Sequence, residues 1–257
     1  MALSSSSTKV VIVTGASRGI GKATSLHLLS KNVSVVGIAR SADTLSTLSE
    51  EVAQLQTAAK FLPVVGDITD QSVQQQAADY AAQNGTLIAL VNNAGTNMPL
   101  ASIATGSVDD WSNMFAVNVI APLSMTQRVI PQLRQSKGRV INLSSTVYKI
   151  PFKEAVCYGA TKAAINYITA TLASEEPDIT AVAIHPGLVN TDMTRVFFYK
   201  AFGVEPSKSS AGDLSIPSMI EADVPGRIIG NLALHVDHEL TGAFVEYNEP
   251  KLARYAE

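Results

Sequence analysis

The chain has 257 residues, 46% of them hydrophobic and only 16% charged, against about 25% charged in an average globular domain, which excludes a disordered chain with low hydrophobicity and high net charge. Nineteen Lys and Arg against 22 Asp and Glu leave a net charge of −3, so no overall basic field draws the protein to nucleic acid or an anionic membrane. One cysteine excludes a disulfide-stapled secreted scaffold and makes the cytoplasm the expected compartment.

Residues 1–8, Met-Ala-Leu-Ser-Ser-Ser-Ser-Thr, have neither a basic n-region nor an apolar h-region and read as a short disordered tail. No apolar run approaches the ~18 residues a membrane span needs. From there, short apolar β-rich runs alternate with longer segments of helical composition. Val10–Val13 is a strand candidate, followed by a helix near 20–30, then Val33–Ala39, a helix over 43–58, Phe61–Val65 and a helix over 71–83. Leu87–Val91, a helix over 109–134, Arg139–Leu143, a helix over 157–174 and Thr180–Ile184 continue the pattern. Runs such as Val-Val-Ile-Val are apolar on both faces, as buried parallel strands must be, and each helix supplies a crossover. Right-handed crossovers then give a doubly wound α/β sheet. With no repeat and no Pro/Gly linker, residues 9–257 are expected to be one domain.

After Thr191 the alternation stops. Residues 192–222 carry Phe197, Phe198, Tyr199 and Phe202 and then a Ser/Pro/Gly-rich stretch, which reads as a substrate-binding loop or lid. A helix near 223–236 and a strand Ala243–Tyr247 return the chain to the sheet.

Chemistry enters at Thr14-Gly-Ala-Ser-Arg-Gly-Ile-Gly21, placed directly after the first strand and opening a helix. Gly15, Gly19 and Gly21 remove side chains where the chain turns sharply and where a pyrophosphate must approach a helix N-terminus. The spacing is GxxxGxG rather than GxGxxG. Together with Asn92-Asn-Ala-Gly95, Asn118, Ser145, Tyr158-x-x-x-Lys162 and Pro186-Gly187 in this order, the turn resembles the short-chain dehydrogenase/reductase family over roughly residues 9–247. Ala173-Ser-Glu-Glu-Pro177 and Thr191-Asp-Met further resemble its sepiapterin-reductase-like and benzil-reductase-like branch.

The resemblance implies a Rossmann fold with a seven-stranded, mainly parallel sheet in the order 3-2-1-4-5-6-7. It also implies a nicotinamide cofactor. An NAD site places an acid at the end of the second strand, but this strand ends Gly37-Ile-Ala-Arg40, and Asp43 belongs to the start of the next helix. Arg40 and Arg18 can flank a 2′-phosphate instead, so NADP(H) is expected over NAD(H). Gly15, Ser17, Arg18, Gly19, Ile20 and Gly21 would cradle the phosphates. Asp67 and Ile68 would meet the adenine, and Asn93, Ala94 and Gly95 would shape the ribose side, with Asn92 purely architectural. Pro186, Gly187, Val189 and Thr191 would pack on the nicotinamide, the last two binding its carboxamide.

Tyr158 and Lys162, spaced i, i+4, project from one helix face. The resemblance makes Tyr158 the acid that protonates a carbonyl oxygen as hydride arrives, with Lys162 lowering the phenol pKa and binding the ribose. Ser145, thirteen residues before Tyr158, would polarise the carbonyl, and Asn118 would hold Lys162 through water. Cys157 reads as a small buried hydrophobe, and His235 and His238 as a surface pair rather than a metal site; His185 is given no role.

The reading is an NADPH-dependent carbonyl reductase for a ketone or diketone, of apolar or aromatic character if the residues 197–202 line the pocket. Alternatives are a non-catalytic nucleotide sensor and an NAD-dependent alcohol dehydrogenase working in the oxidative direction. A homodimer or homotetramer paired through the apolar helices is expected.

Overall fold

The computed structural model describes residues 8–202 and 219–257; residues 1–7 of the expected tail and 203–218 of the expected lid lie outside them. Strands β1 (Lys9–Thr14), β2 (Ser34–Ala39), β3 (Phe61–Val65), β4 (Thr86–Asn92), β5 (Arg139–Leu143), β6 (Thr180–His185) and β7 (Phe244–Glu246) form one sheet. Their order is β3-β2-β1-β4-β5-β6-β7, and all neighbours are parallel.

The uninterrupted apolar strands follow from burial on both faces. Val11 and Val13 point into a layer with Leu28 and Leu29 of α1 (Gly19–Ser30) and with Ile228 and Leu232 of α8 (Asp223–His235). Val10 and Ile12 point into the opposite layer, against Val73 and Ala77 of α3 (Gln71–Asn84) and Met125 and Val129 of α5 (Ala121–Ser136). With period two along the strand, alternate residues serve alternate cores, so no position is free to be polar. Each such side chain contributes about 1.5–3 kcal/mol by leaving water.

The chain winds outward from β1 through β2 to β3, then returns to β4 and winds the other way. Crossovers therefore diverge between the carboxyl ends of β1 and β4, and a crevice opens there.

Three expected elements differ. The helix expected over 43–58 is α2 (Ala42–Ala53). Its N-cap is Ser41, whose hydroxyl accepts the Thr44 N–H at 3.3 Å, while Asp43 sits within the first turn. It stops early because Thr57 turns back to the end of α1, its hydroxyl donating to the Leu29 carbonyl at 2.7 Å. The helix expected over 109–134 is α4 (Val108–Phe115), a π-helical turn over Ala116–Ile120, and α5. Pro122 has no N–H, so the main-chain carbonyl of Asn118 loses its α-helical donor, and Asn118 lies inside this wide turn. Lastly, residues 192–202 of the expected loop are a helix, α7 (Asp192–Phe202). The Thr191 hydroxyl accepts the Thr194 N–H at 3.3 Å in its first turn. That hydroxyl and Asp192 were a helix start signal hidden among the aromatics. Val189 and Ile220 pair as a β-bridge that closes the base of the segment.

Candidate active site

One cavity of about 1130 Å³ occupies the crevice at the carboxyl edge of the sheet. Its floor is built by stitching β1 to β4. The Thr14 hydroxyl accepts the N–H groups of Asn93 and Ala94 at 3.0 and 2.9 Å, and the Asn93 amide donates to the Thr14 and Gly15 carbonyls at 2.8 and 3.1 Å. Asn93 is thus a clamp on the glycine turn. Gly15 has φ +66°, and a Cβ there would lie 2.8 Å from Asn93 Nδ2. Gly21 is not on the cavity wall; it lies behind it, where a Cβ would sit 2.2 Å from the Gly15 carbonyl oxygen.

This floor fits a dinucleotide phosphate. The N-cap residue of α1, Arg18, offers no side-chain acceptor, and no acid stands in the first turn. Its leading N–H groups are therefore left for an anion. Gly15, Ser17, Arg18, Gly19 and Ile20 all line the cavity, as do Arg40, Asp67, Ile68, Asn93, Ala94 and Gly95. Arg40 follows β2 directly, where an NAD site would hold an acid, and Asp43 is not among the lining residues. Arg18 reaches across to Asp192 at 3.4 Å, an exposed pair. The Asp67 carboxyl accepts the Thr69 N–H and hydroxyl at 2.9 and 2.7 Å. Those bonds, with the Arg40 charge, hold it below the usual carboxylate range. Pro186, Gly187, Val189 and Thr191 also line the wall, and the Val189 N–H donates to no acceptor among the described residues.

Ser145, Tyr158 and Lys162 meet on the same wall. Ser145 follows β5 and caps the short 3-10 turn Thr146–Tyr148, its Oγ accepting the Val147 N–H at 3.3 Å. Tyr158 and Lys162 project from α6 (Val156–Glu175). Lys162 Nζ donates to the Leu143 carbonyl at 2.8 Å and lies 5.4 Å from the Tyr158 ring centroid.

Burial acts on the titration of both groups. Burial pushes the Tyr158 phenol up to about 12, with a Ser145 hydrogen bond pulling the other way. Burial lowers the Lys162 ammonium to about 8. Spacing placed the two groups together, but it carried no information on how dry their site is, and desolvation leads at both groups.

Asn118 is buried behind the wall, not on it. Its Oδ1 accepts the Thr96 N–H at 2.8 Å, and its Nδ2 donates to the Thr96 carbonyl at 2.7 Å and to the Thr161 hydroxyl at 3.1 Å. The side chain braces the segment after β4 against the residue preceding Lys162. The Asn118 main-chain carbonyl has no α-helical donor, because Pro122 carries no N–H.

Other singled-out residues are structural. Asn92 donates to Asn142 Oδ1 at 2.8 Å and to the Thr126 hydroxyl at 3.2 Å. Cys157 is buried, its thiol pKa raised by desolvation. His235 stacks near the Tyr255 ring, and His238 approaches the Thr180 hydroxyl at 3.3 Å. His185 does reach the cavity wall, its Nε2 3.5 Å from the Thr146 hydroxyl and its Nδ1 buried without a partner among the described residues. Of the lid aromatics, Phe197 and Phe198 line the cavity beside Met193, and Phe152 joins them, whereas Tyr199 is exposed. Phe152 and Asn97 lie in loops with no spacing pattern, so the sequence reading passed over both.

The family model described as short chain dehydrogenase matches residues 9–200 of the chain. The protein belongs to the short-chain dehydrogenase/reductase family. It is 34% identical over 258 residues to an uncharacterized oxidoreductase of Saccharomyces cerevisiae, covering 96% of this chain and 98% of that protein. It is 30% identical over 261 residues to a benzil reductase, (S)-benzoin forming, of the same yeast, covering 95% and 97%. The crystal structure of a Saccharomyces cerevisiae short-chain dehydrogenase/reductase superposes with a TM-score of 0.86 at 34% identity, covering 97% of this chain and 100% of that one. As a family member the protein is an oxidoreductase of the CH–OH/C=O pair that uses a nicotinamide cofactor and a small-molecule substrate.

Proposed function

We propose that the protein is a cytoplasmic, NADPH-dependent carbonyl reductase acting on an apolar or aromatic ketone or diketone, with Tyr158 as general acid. The observation that carries this reading is a half-buried phenol, its pKa raised to about 12 by desolvation, beside Ser145 in a cavity also lined by Phe152, Phe197 and Phe198. A phenol held protonated near neutrality is a proton donor, and its role as base for alcohol oxidation is correspondingly disfavoured.

When bound, the cofactor supplies a hydride to the carbonyl carbon. The glycine turn and the open end of α1 would hold its pyrophosphate, Arg40 with Arg18 its 2′-phosphate, and the Val189 N–H with Thr191 its carboxamide. Ser145 donates a hydrogen bond to the substrate oxygen and orients the carbonyl. Tyr158 delivers its proton to that oxygen as negative charge develops there. The Lys162 ammonium favours the phenolate left behind, and the Asn118 carbonyl holds the water through which the proton returns. The neighbouring aromatic side chains shed water from the substrate and favour flat apolar substituents.

Support for NADPH comes from Arg40 after β2 and from the withdrawal of Asp43 into the first turn of α2. The likeness to a yeast benzil reductase supports a diketone substrate. Pairing of two or four copies is supported by the exposed apolar Ile120 and Tyr167, 57% and 76% exposed on the helical layer.

The test is consumption of NADPH and NADH by the purified protein with benzil-like diketones, pterin side-chain diketones, steroids and sugars. Faster turnover of apolar diketones with NADPH is the expected outcome. Preference for sugars would remove the apolar pocket from the reading, and tight NADPH binding without turnover across the panel would favour the sensor.

A further inference from the structure

One amide on the cavity wall serves neither the fold nor the acid group. Asn97 is only 8% exposed and lines the same cavity as Ser145, Tyr158 and Phe152. Its side-chain amide makes no hydrogen bond with the protein among the described residues.

The chain on either side of it is nonetheless fixed. Both main-chain polar groups of Thr96 are held by Asn118, at 2.8 and 2.7 Å, and the Met98 N–H donates to the Thr96 hydroxyl at 3.3 Å. Farther on, the Ala101 N–H donates to the Glu154 carbonyl at 2.9 Å, tying this loop to the segment that leads into α6 and Tyr158. The amide opens onto the cavity and is not sealed inside the protein, so a ligand that fills the cavity and displaces its water has to supply the partner or leave the amide unpaired at a cost. Here the backbone is held while the side chain is left open, which is how a pre-organised ligand contact is built.

We infer that the Asn97 amide donates a hydrogen bond to a second oxygen of the substrate, next to the carbonyl being reduced, and so selects 1,2-dicarbonyl compounds over simple ketones. The inference rests on the carbonyl-reductase reading above. Ser145 and Tyr158 take one oxygen, and Asn97 takes the other. One hydride then passes from NADPH to the carbon of the first carbonyl, and one proton passes from Tyr158 to its oxygen. NADP⁺ and an α-hydroxyketone result, the second carbonyl unchanged in the grip of Asn97. A site that hydrogen-bonds a substrate oxygen discriminates against an analogue lacking it, because the protein's own polar group is then left unpaired.

Benzil and deoxybenzoin test this directly, since the second replaces one carbonyl of the first by a methylene. Benzil is intrinsically the more reactive, so the reading is the change in their ratio between variants. Asn97→Leu removes the polar atoms at similar size and should lower kcat/KM for benzil by about tenfold or more. It should leave deoxybenzoin turnover and NADPH affinity within about twofold of the original protein. Asn97→Ser, which keeps a donor, should recover part of the benzil activity. Equal loss on both substrates, no loss on either, or a matching loss of NADPH affinity would overturn the inference. So would reduction of other ketones with neither diphenyl compound accepted. Failure of the unaltered protein to reduce any carbonyl, with NADPH still bound, would instead strike the reductase reading itself and this inference with it.

Discussion

Replacing Lys162 by Met should make the protein more stable at neutral pH while removing its activity. The ammonium is buried with one carbonyl, that of Leu143 at 2.8 Å, and one aromatic ring for company. Burial depresses its pKa from 10.5 to about 8. A folded-state value below the unfolded one means that the unfolded chain binds the proton more tightly. The charged lysine therefore costs stability at low and neutral pH, and the cost fades as pH rises from about 8 to 10.5. The difference between 10.5 and 8, at about 1.36 kcal/mol per unit, amounts to about 3 kcal/mol at pH 7 and about 1 kcal/mol at pH 9.5. Met fills the same space without the charge, and leaving the Leu143 carbonyl without its donor gives back about 1 kcal/mol. The variant should then be more stable by about 2 kcal/mol at pH 7, or about 4–8 °C in Tm, and about equal to the original at pH 9.5. Denaturant unfolding of both proteins at the two pH values measures the gap, and because they differ in one group, all other titrations cancel. A gap that stays constant between pH 7 and 9.5, or a variant less stable at both, would refute the reasoning that desolvation dominates at Lys162.

Tyr158→Phe should reduce turnover to near background while NADPH titration shows binding retained; ordinary reduction by this variant would dismiss Tyr158 as the acid. Because the phenol titrates near 12 and the ammonium near 8, the rate of reduction should fall on the alkaline side near pH 8, as Lys162 loses its charge, and not at a tyrosine value. Arg40→Asp should lower kcat/KM with NADPH by about tenfold or more and raise it with NADH; an unchanged NADPH preference would unseat the arginine. Gly21→Ala places a Cβ 2.2 Å from the Gly15 carbonyl oxygen and 2.5 Å from Asn93 Nδ2, an overpacking that costs about 1–3 kcal/mol. It should lower Tm and, by shifting the glycine turn, weaken NADPH binding; normal values of both would show that the turn relaxes freely.

Much of the architecture was legible because each level of the sequence agreed with the next. A doubly buried strand must be apolar throughout, so Val10–Val13 and its counterparts declared both the parallel sheet and its two flanking layers. The glycine turn was legible because phosphate approach imposes fixed separations, whereas Ser145 and the Tyr158/Lys162 pair stood out only through the family resemblance. Departures came where a local signal competed with another. Pro122 reads as a tolerated early helix residue, yet it forces the widened turn around Asn118, and the aromatic stretch from Phe197 hid the capped start of α7.

The sequence by itself determined the fold class, because periodicity is written in the chain, and through the family resemblance it singled out Tyr158 as the candidate acid group. Only the tertiary structure decided that burial opposes ionisation of Tyr158, that Gly21 packs behind the wall while Asn93 clamps the turn, and that Asn97 lines the cavity with its amide unspent among the described residues. Each of these depends on burial by residues far away along the chain. Desolvation and a missing hydrogen-bond partner are properties of a surrounding volume, and one-dimensional spacing does not encode them.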